Sequence, residues 1–223
     1  MCPHYSEIFD RDQFRSNLLV YTRRAFQMLP PLDKPRILDI GCGTGVSTLE
    51  IARLSGGNVI ALDIDRQALD RLVENASREG LSERITTVHA NMLDMDFPPG
   101  SFDIIWSEGA ISAVGFERGL REWRTLLVPE GYVVVHDALT DLQMKIQMTR
   151  TCGYSIQGRL ELSPAVWWNE YYAPLRDRLD TLQQSSSSNR RIREEISAAR
   201  REIKEFDPGD DRFGSVFFVL KKG

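Results

Sequence analysis

The chain reads as an α/β protein with a three-layer, doubly wound, mostly parallel seven-stranded sheet, on three observations. Short apolar runs alternate with helix-length amphipathic segments for most of the length. The first run ends in a glycine-rich loop. A helix-rich stretch separates the last two runs. Parallel strands need crossovers of a dozen or more residues, and this alternation supplies helices of that size for both faces.

The elements follow in order. Arg36 to Ile40 is a short apolar run that stops at glycines, as a buried parallel strand does. Val46 to Leu54 has helical spacing and ends at Gly56-Gly57. Asn58 to Asp63 predicts the second strand. Arg66 to Glu79 predicts a helix with Leu69, Leu72, Val73 and Ala76 on one face, capped by Asp65 and stopped by Gly80. Arg84 to His89 is rich in β-branched residues and predicts the third strand. Phe102 to Trp106 is the fourth. A helix is expected from Phe116 to Leu127, closed by Pro129-Glu130-Gly131, and Tyr132 to His136 is the fifth strand.

Leu142 to Thr151 predicts another helix, and Tyr154 to Glu161 the sixth strand. A helical insertion runs from Pro164 to about Thr181 and carries Trp167, Trp168, Tyr171 and Tyr172. The polar tract from Gln183 to Asn189 breaks it. Arg190 to Phe206 is amphipathic, with Ile192, Ile196, Ala199, Ile203 and Phe206 along one stripe. Phe213 to Leu220 is the final strand. The length suits one domain with a well-buried core. We divide it into an N-terminal helical cap (1–34), a core (35–161), an insertion (162–211) and the last strand (212–223).

A net charge of -4 excludes an overall basic footprint for nucleic acid. The dense basic positions Arg190, Arg191, Arg200, Arg201 and Lys204 alternate with Glu194, Glu195, Glu202 and Glu205, which reads as a solvated helix face. Cys2, Cys42 and Cys152 are odd in number and far apart, so no disulfide framework is expected. Cys2 and His4 are too few to hold a metal, and none is expected. Neither a membrane-length apolar run nor a signal-peptide pattern is present, so a cytoplasmic setting is expected. A small molecule is the expected partner, with no nucleic acid and no membrane.

The glycine loop carries the chemistry. Gly41, Gly43 and Gly45 let the backbone approach a ligand where a Cβ would obstruct it. The helix after them points free N–H groups into the same space. Alone, such a loop suits dinucleotides and adenosylmethionine alike. Asp39 precedes the glycines, where a carboxylate repels a pyrophosphate but favours a cationic amino group. The spacing is Gly-x-Gly-x-Gly, not the Gly-x-Gly-x-x-Gly of dinucleotide folds. Asp63 ends the second strand about twenty residues on, where a carboxylate can accept both ribose hydroxyls.

Asp39-Ile40-Gly41-Cys42-Gly43-Thr44-Gly45 resembles the first motif of the class I, Rossmann-like S-adenosylmethionine-dependent methyltransferases without a mismatch. Ser107 to Ile111, Gly115 to Gly119, the aromatic insertion and the last strand resemble a small-molecule-type subgroup. The resemblance implies that the last strand runs antiparallel and that S-adenosyl-L-methionine is the cofactor, leaving as S-adenosyl-L-homocysteine. It assigns Asp39, Gly41, Cys42, Gly43 and Gly45 to the cofactor loop and Asp63 to the ribose. Ile64 would lie beside the adenine. Asn91 stands where the family commonly has an Asp, and its side-chain carbonyl can accept from the adenine amino group. Met92 would offer its backbone N–H to the ring. Asp103 is expected to be structural.

Methyl transfer needs alignment and exclusion of water, and a base only where the acceptor loses a proton. Ligands of a doubly wound sheet sit at the carboxyl ends of the strands, which places Ser107 and Glu108 after the fourth and His136 after the fifth. Glu108 orients an amine or cationic acceptor, or caps the next helix. His136 is a base or a strand-end histidine bonded to a neighbour. Trp168 and Tyr171, with Trp167 and Tyr172, form a lid or cation cage, or pack the insertion on the sheet. Tyr5, Phe9, Phe14 and Tyr21 close the cofactor side or pack as helices. The competing functions are a nicotinamide-dependent oxidoreductase and a non-catalytic adenosylmethionine-binding protein.

Overall fold

Strands β1 (Arg36–Ile40), β2 (Asn58–Asp63), β3 (Ile85–His89), β4 (Phe102–Glu108), β5 (Leu127–Ala138), β6 (Tyr154–Leu162) and β7 (Ser215–Lys222) form one sheet. The computed structural model describes residues 10–184 and 190–223. Cys2, His4, Tyr5, Phe9 and most of the 183–189 tract lie outside the described residues. The strand order is β3-β2-β1-β4-β5-β7-β6. The pairs β1–β2, β2–β3, β1–β4 and β4–β5 are parallel, while β7 is antiparallel to both β5 and β6. The antiparallel last strand is therefore as the resemblance implied. It also departs from the dinucleotide fold, whose strand order is 3-2-1-4-5-6.

Helices α1 (Arg11–Arg15) and α2 (Leu19–Phe26) precede the sheet. Then come α3 (Val46–Ser55), α4 (Arg66–Arg78), α5 (Phe116–Trp123) and α6 (Leu142–Thr151). Strand alternation divides the core. Phe217 and Val219 face a cluster with Leu49, Ile51 and Leu72, under α2, α3 and α4. Val216, Phe218 and Leu220 face the opposite cluster with Phe116, Leu120 and Trp123, under α5 and α6. Helix caps follow the sequence. Asp65 accepts from the N–H groups of Gln67 and Ala68, and Gly56 ends α3 at φ +61°.

The helix expected to reach Leu127 stops at Trp123. Leu127 already pairs with Phe102, and β5 runs through Pro129-Glu130-Gly131 with Glu130 at φ +63°. The Pro-Glu-Gly signal is thus a distortion inside a strand, set by pairing with β4, rather than a helix stop. The insertion also differs from one continuous helix. Helix α7 (Pro164–Trp167) leads into a π-helical turn, Trp168–Tyr172, and then α8 (Ala173–Gln184). With α9 (Arg190–Glu205) and α1 these elements bury a third cluster of Phe14, Tyr171, Leu175, Leu179 and Ala199.

Candidate active site at the strand ends

The three loop glycines answer to different constraints. A Cβ on Gly41 would stand 2.3 Å from the Ala110 Cβ, and one on Gly45 2.1 Å from Leu72 Cδ1. Both positions are closed by packing, and both have positive φ. A Cβ on Gly43 would meet nothing within 4 Å, so the middle of the loop faces open space. The Gly41 and Cys42 N–H groups donate to the Leu62 carbonyl at 2.8 and 3.1 Å, which binds the loop to the end of β2. Asp63 accepts from the Gly43 N–H at 2.7 Å and the Asp65 N–H at 2.9 Å. Each carboxylate oxygen retains acceptor capacity.

Asp63, Ile64, Asn91 and Met92 line one cavity of about 160 Å³, together with Leu62, Ala90, Leu93 and Ala113. The structure thus gathers four residues singled out from sequence, from the ends of β2 and β3. It adds Ala113 from the turn after β4, for which no sequence signal exists. Ile64 is 65% exposed, and Leu93 is exposed beside it. An uncovered isoleucine at a cavity rim leaves apolar area for a flat ligand. Asn91 uses its Oδ1 to accept from the Leu93 N–H at 3.0 Å, closing its own turn.

Asp39 is buried, and the Thr48 hydroxyl donates to it at 2.6 Å. Burial pushes its carboxyl up to about 7, with Glu108 and Asp63 adding like charge. Cys42 is buried within the loop, and burial pushes its thiol up. Ser107 is fully buried and donates to the Ile40 carbonyl at 3.0 Å, so its side chain ties β4 to β1.

Glu108 and His136 are register partners on adjacent strands, and His136 in turn pairs with Phe217. The Glu108 carboxylate accepts from Thr22 Oγ1 at 3.0 Å and from the Trp106 indole N–H at 2.8 Å. Burial raises it to about 7. His136 is 8% exposed and stacks on Phe217, ring centroids 4.1 Å apart, with Trp167 near-parallel at 5.9 Å. Its Nε2 lies 2.7 Å from Ser215 Oγ, which also accepts from the Trp167 indole at 2.8 Å. Burial lowers the imidazole to about 4, so the ring is neutral near pH 7. His136 therefore has the neighbour-bonded arrangement. Its sequence neighbour Asp137 is ion-paired with Lys145 at 2.7 Å.

Trp168 stacks on Phe206 with Arg176 over its ring, so it packs the insertion, and Trp167 is the tryptophan beside His136. Tyr171 is buried edge-on to Phe14 and accepts from Arg11 Nη1 at 2.7 Å. The N-terminal segment, read from sequence as closing the cofactor side or packing as helices, makes specific contacts. Asp12 accepts from the loop residue Thr44 at 2.8 Å, and Arg11 pairs with Glu202 on α9 at 2.8 Å. Thr22, Ser215 and Asp12 join the site only through long-range contacts, so periodicity offers no signal for them.

A methyltransferase-domain family model matches residues 37–131. A sterol 24-C-methyltransferase of Gibberella zeae is 32% identical over 140 residues, 62% of this chain and 36% of that one. The chain spans about a third of the length of the curated relatives it matches. Two solved structures share the fold. A Haemonchus contortus phosphoethanolamine N-methyltransferase 2 superposes with TM-score 0.72 at 20% identity, over 93% of this chain and 52% of that one. A geranyl diphosphate C-methyltransferase from Streptomyces coelicolor gives 0.64 at 14%, over 92% and 80%. The fold is the Rossmann-like one of these structures, with β7 antiparallel to β5 and β6. Residues 37–131 are thus similar to a methyltransferase domain, and the chain shares its fold with these structures.

Proposed function

We propose that this chain moves a methyl group from S-adenosyl-L-methionine to a small-molecule acceptor. The observation that carries this reading is the open face at Gly43, whose N–H donates to Asp63, the neighbour of Ile64 in the cavity wall. The donor set suits this cofactor, which has a cationic amino-acid end, a ribose and an adenine. That Asp63, Ile64, Met92 and Leu93 line one cavity supports a ribose role for Asp63 and an adenine role for the other three. Asn91 lines the adenine side, and a cationic group at the loop would favour the ionised form of the buried Asp39 carboxyl. When bound, the cofactor supplies a methyl group already activated by its sulfonium. The protein then orients the acceptor and excludes water.

Glu108 suits proton acceptance better than His136, because its carboxyl titrates near neutrality and His136 is neutral and bonded to Ser215. The ordinary composition and the free, buried Cys42 and Cys152 support a cytoplasmic setting. Among the described residues no helix is long and apolar enough to cross a membrane. Calorimetry is the test. Adenosylhomocysteine should bind at micromolar concentration and NADH should not. Binding of NADH alone would overturn the reading in favour of the oxidoreductase.

A further inference from the structure

Resting on the methyl-transfer reading, we infer that the acceptor is a basic amine whose ammonium group binds Glu108, and that Glu108 takes the proton the nitrogen loses. Position comes first. Asp39 pairs with Trp106 across β1 and β4, so Glu108, two residues beyond Trp106, stands at the level of the glycine loop. On its other side it pairs with His136. It therefore lies at the carboxyl end of β4, between the donor loop and the fifth strand, where an acceptor must approach.

The chemistry of its surroundings comes second. The side chains bonded to Glu108 are the Thr22 hydroxyl and the Trp106 indole, both neutral donors. They fix the carboxylate without neutralising it. Nearby cations are engaged elsewhere: Arg23, next to Thr22 on α2, donates to Glu50 at 2.6 Å, and Lys145 holds Asp137. His136 is an uncharged ring between Phe217 and Trp167. Asp39 adds a second carboxyl group acting on the same region. A half-buried carboxylate held by neutral donors carries a desolvation penalty that a bound cation offsets. An anionic acceptor would be repelled by ionised Glu108, and a neutral alcohol or alkene offers nothing that favours its ionised form.

The proton balance closes without a further reagent. An ammonium N–H proton passes to a Glu108 oxygen, which frees the nitrogen lone pair. That pair forms the new nitrogen–carbon bond as the methyl–sulfur bond breaks, and the breaking pair stays on sulfur. The product leaves as the methylated ammonium, and Glu108 returns its proton to water. A carboxyl group raised toward neutrality by burial is suited to this exchange.

The experiment uses the full chain saturated with adenosylhomocysteine, whose binding is measured first. Failure of that step sinks the methyl-transfer reading and leaves the acceptor question aside. Primary amines from butylamine to 2-phenylethylamine are then titrated by calorimetry near pH 7, with the matching alcohols and carboxylic acids. We expect amines to bind at least tenfold more tightly than either counterpart, and Glu108→Gln to remove that preference while leaving adenosylhomocysteine affinity within about threefold. Alcohols or acids binding as well as amines, no amine binding at all, or a preference that survives Glu108→Gln would each overturn the proposal. The wild-type contrast decides the matter even where the variant melts early.

Discussion

The glycine-loop end of this sheet and the surroundings of Glu108 are assembled by different rules. Asp39, the glycines and Asp63 come from one continuous β1-α3-β2 stretch. Their geometry follows from a tight turn, a helix N-terminus and a strand end, each written locally. The groups around Glu108 come from α2, β4, β5, α7 and β7. No local pattern brings Thr22 or Ser215 to that place. Helix α1 bridges the two ends, since Asp12 accepts from Thr44 in the loop while Arg11 holds Tyr171 and Glu202 in the insertion. One end of the candidate site is thus encoded locally, while the other is set by distant segments.

This contrast can be broken at several points. The largest effect of a single substitution is expected at Gly45, where Ala would carry its methyl into Leu72 at φ +85°. Overpacking and the left-handed backbone together should cost about 3 kcal/mol, read by urea unfolding. A loss under roughly 0.5 kcal/mol would mean that the loop is not closed by packing. Asp63→Ala removes an acceptor from the Gly43 and Asp65 N–H groups as well as from the ribose. Loss of a charged hydrogen-bond partner should weaken adenosylhomocysteine by about 30- to 100-fold. Unchanged affinity would remove the donor role from this carboxylate.

A third effect concerns pH. Asp39 and Glu108 have folded values near 7, above the ordinary carboxyl range. A group raised in the folded state adds stability that is complete below its unfolded value and lost as pH rises through its folded value. The ligand-free protein should therefore lose about 2.5 kcal/mol for each carboxyl, about 5 in all, between pH 5 and 8, and Asp39→Asn should roughly halve that decline. A flat wild-type profile would show that these carboxyls are better solvated than their burial implies. The smallest effect is expected at the bridge. Arg11→Ala should lower stability by about 1 kcal/mol and speed proteolysis of the insertion. Adenosylhomocysteine affinity should stay within about twofold, and a larger loss would show the two ends to be coupled through α1.

Much of the architecture was legible in the chain. Alternating runs identified the strands, and Asp65, Gly56 and Gly80 marked helix limits that the structure shares. Boundaries set by pairing were not legible. Leu127 reads as the end of a helix, because an apolar residue before Pro129-Glu130-Gly131 fits either state, and only its partner Phe102 makes it a strand. The π-helical turn at Trp168–Tyr172 has no periodic signature either, yet Trp167 stands beside His136 while Trp168 packs against Phe206.

By itself the sequence determined the order of elements, the donor loop and the carboxylates beside it, because turn chemistry and strand periodicity act over a few residues. Only the tertiary structure decided which groups surround Glu108 and His136. It left His136 neutral and bonded to Ser215, and set Glu108 among neutral donors, because burial and long-range hydrogen bonding depend on what the whole chain packs around a side chain.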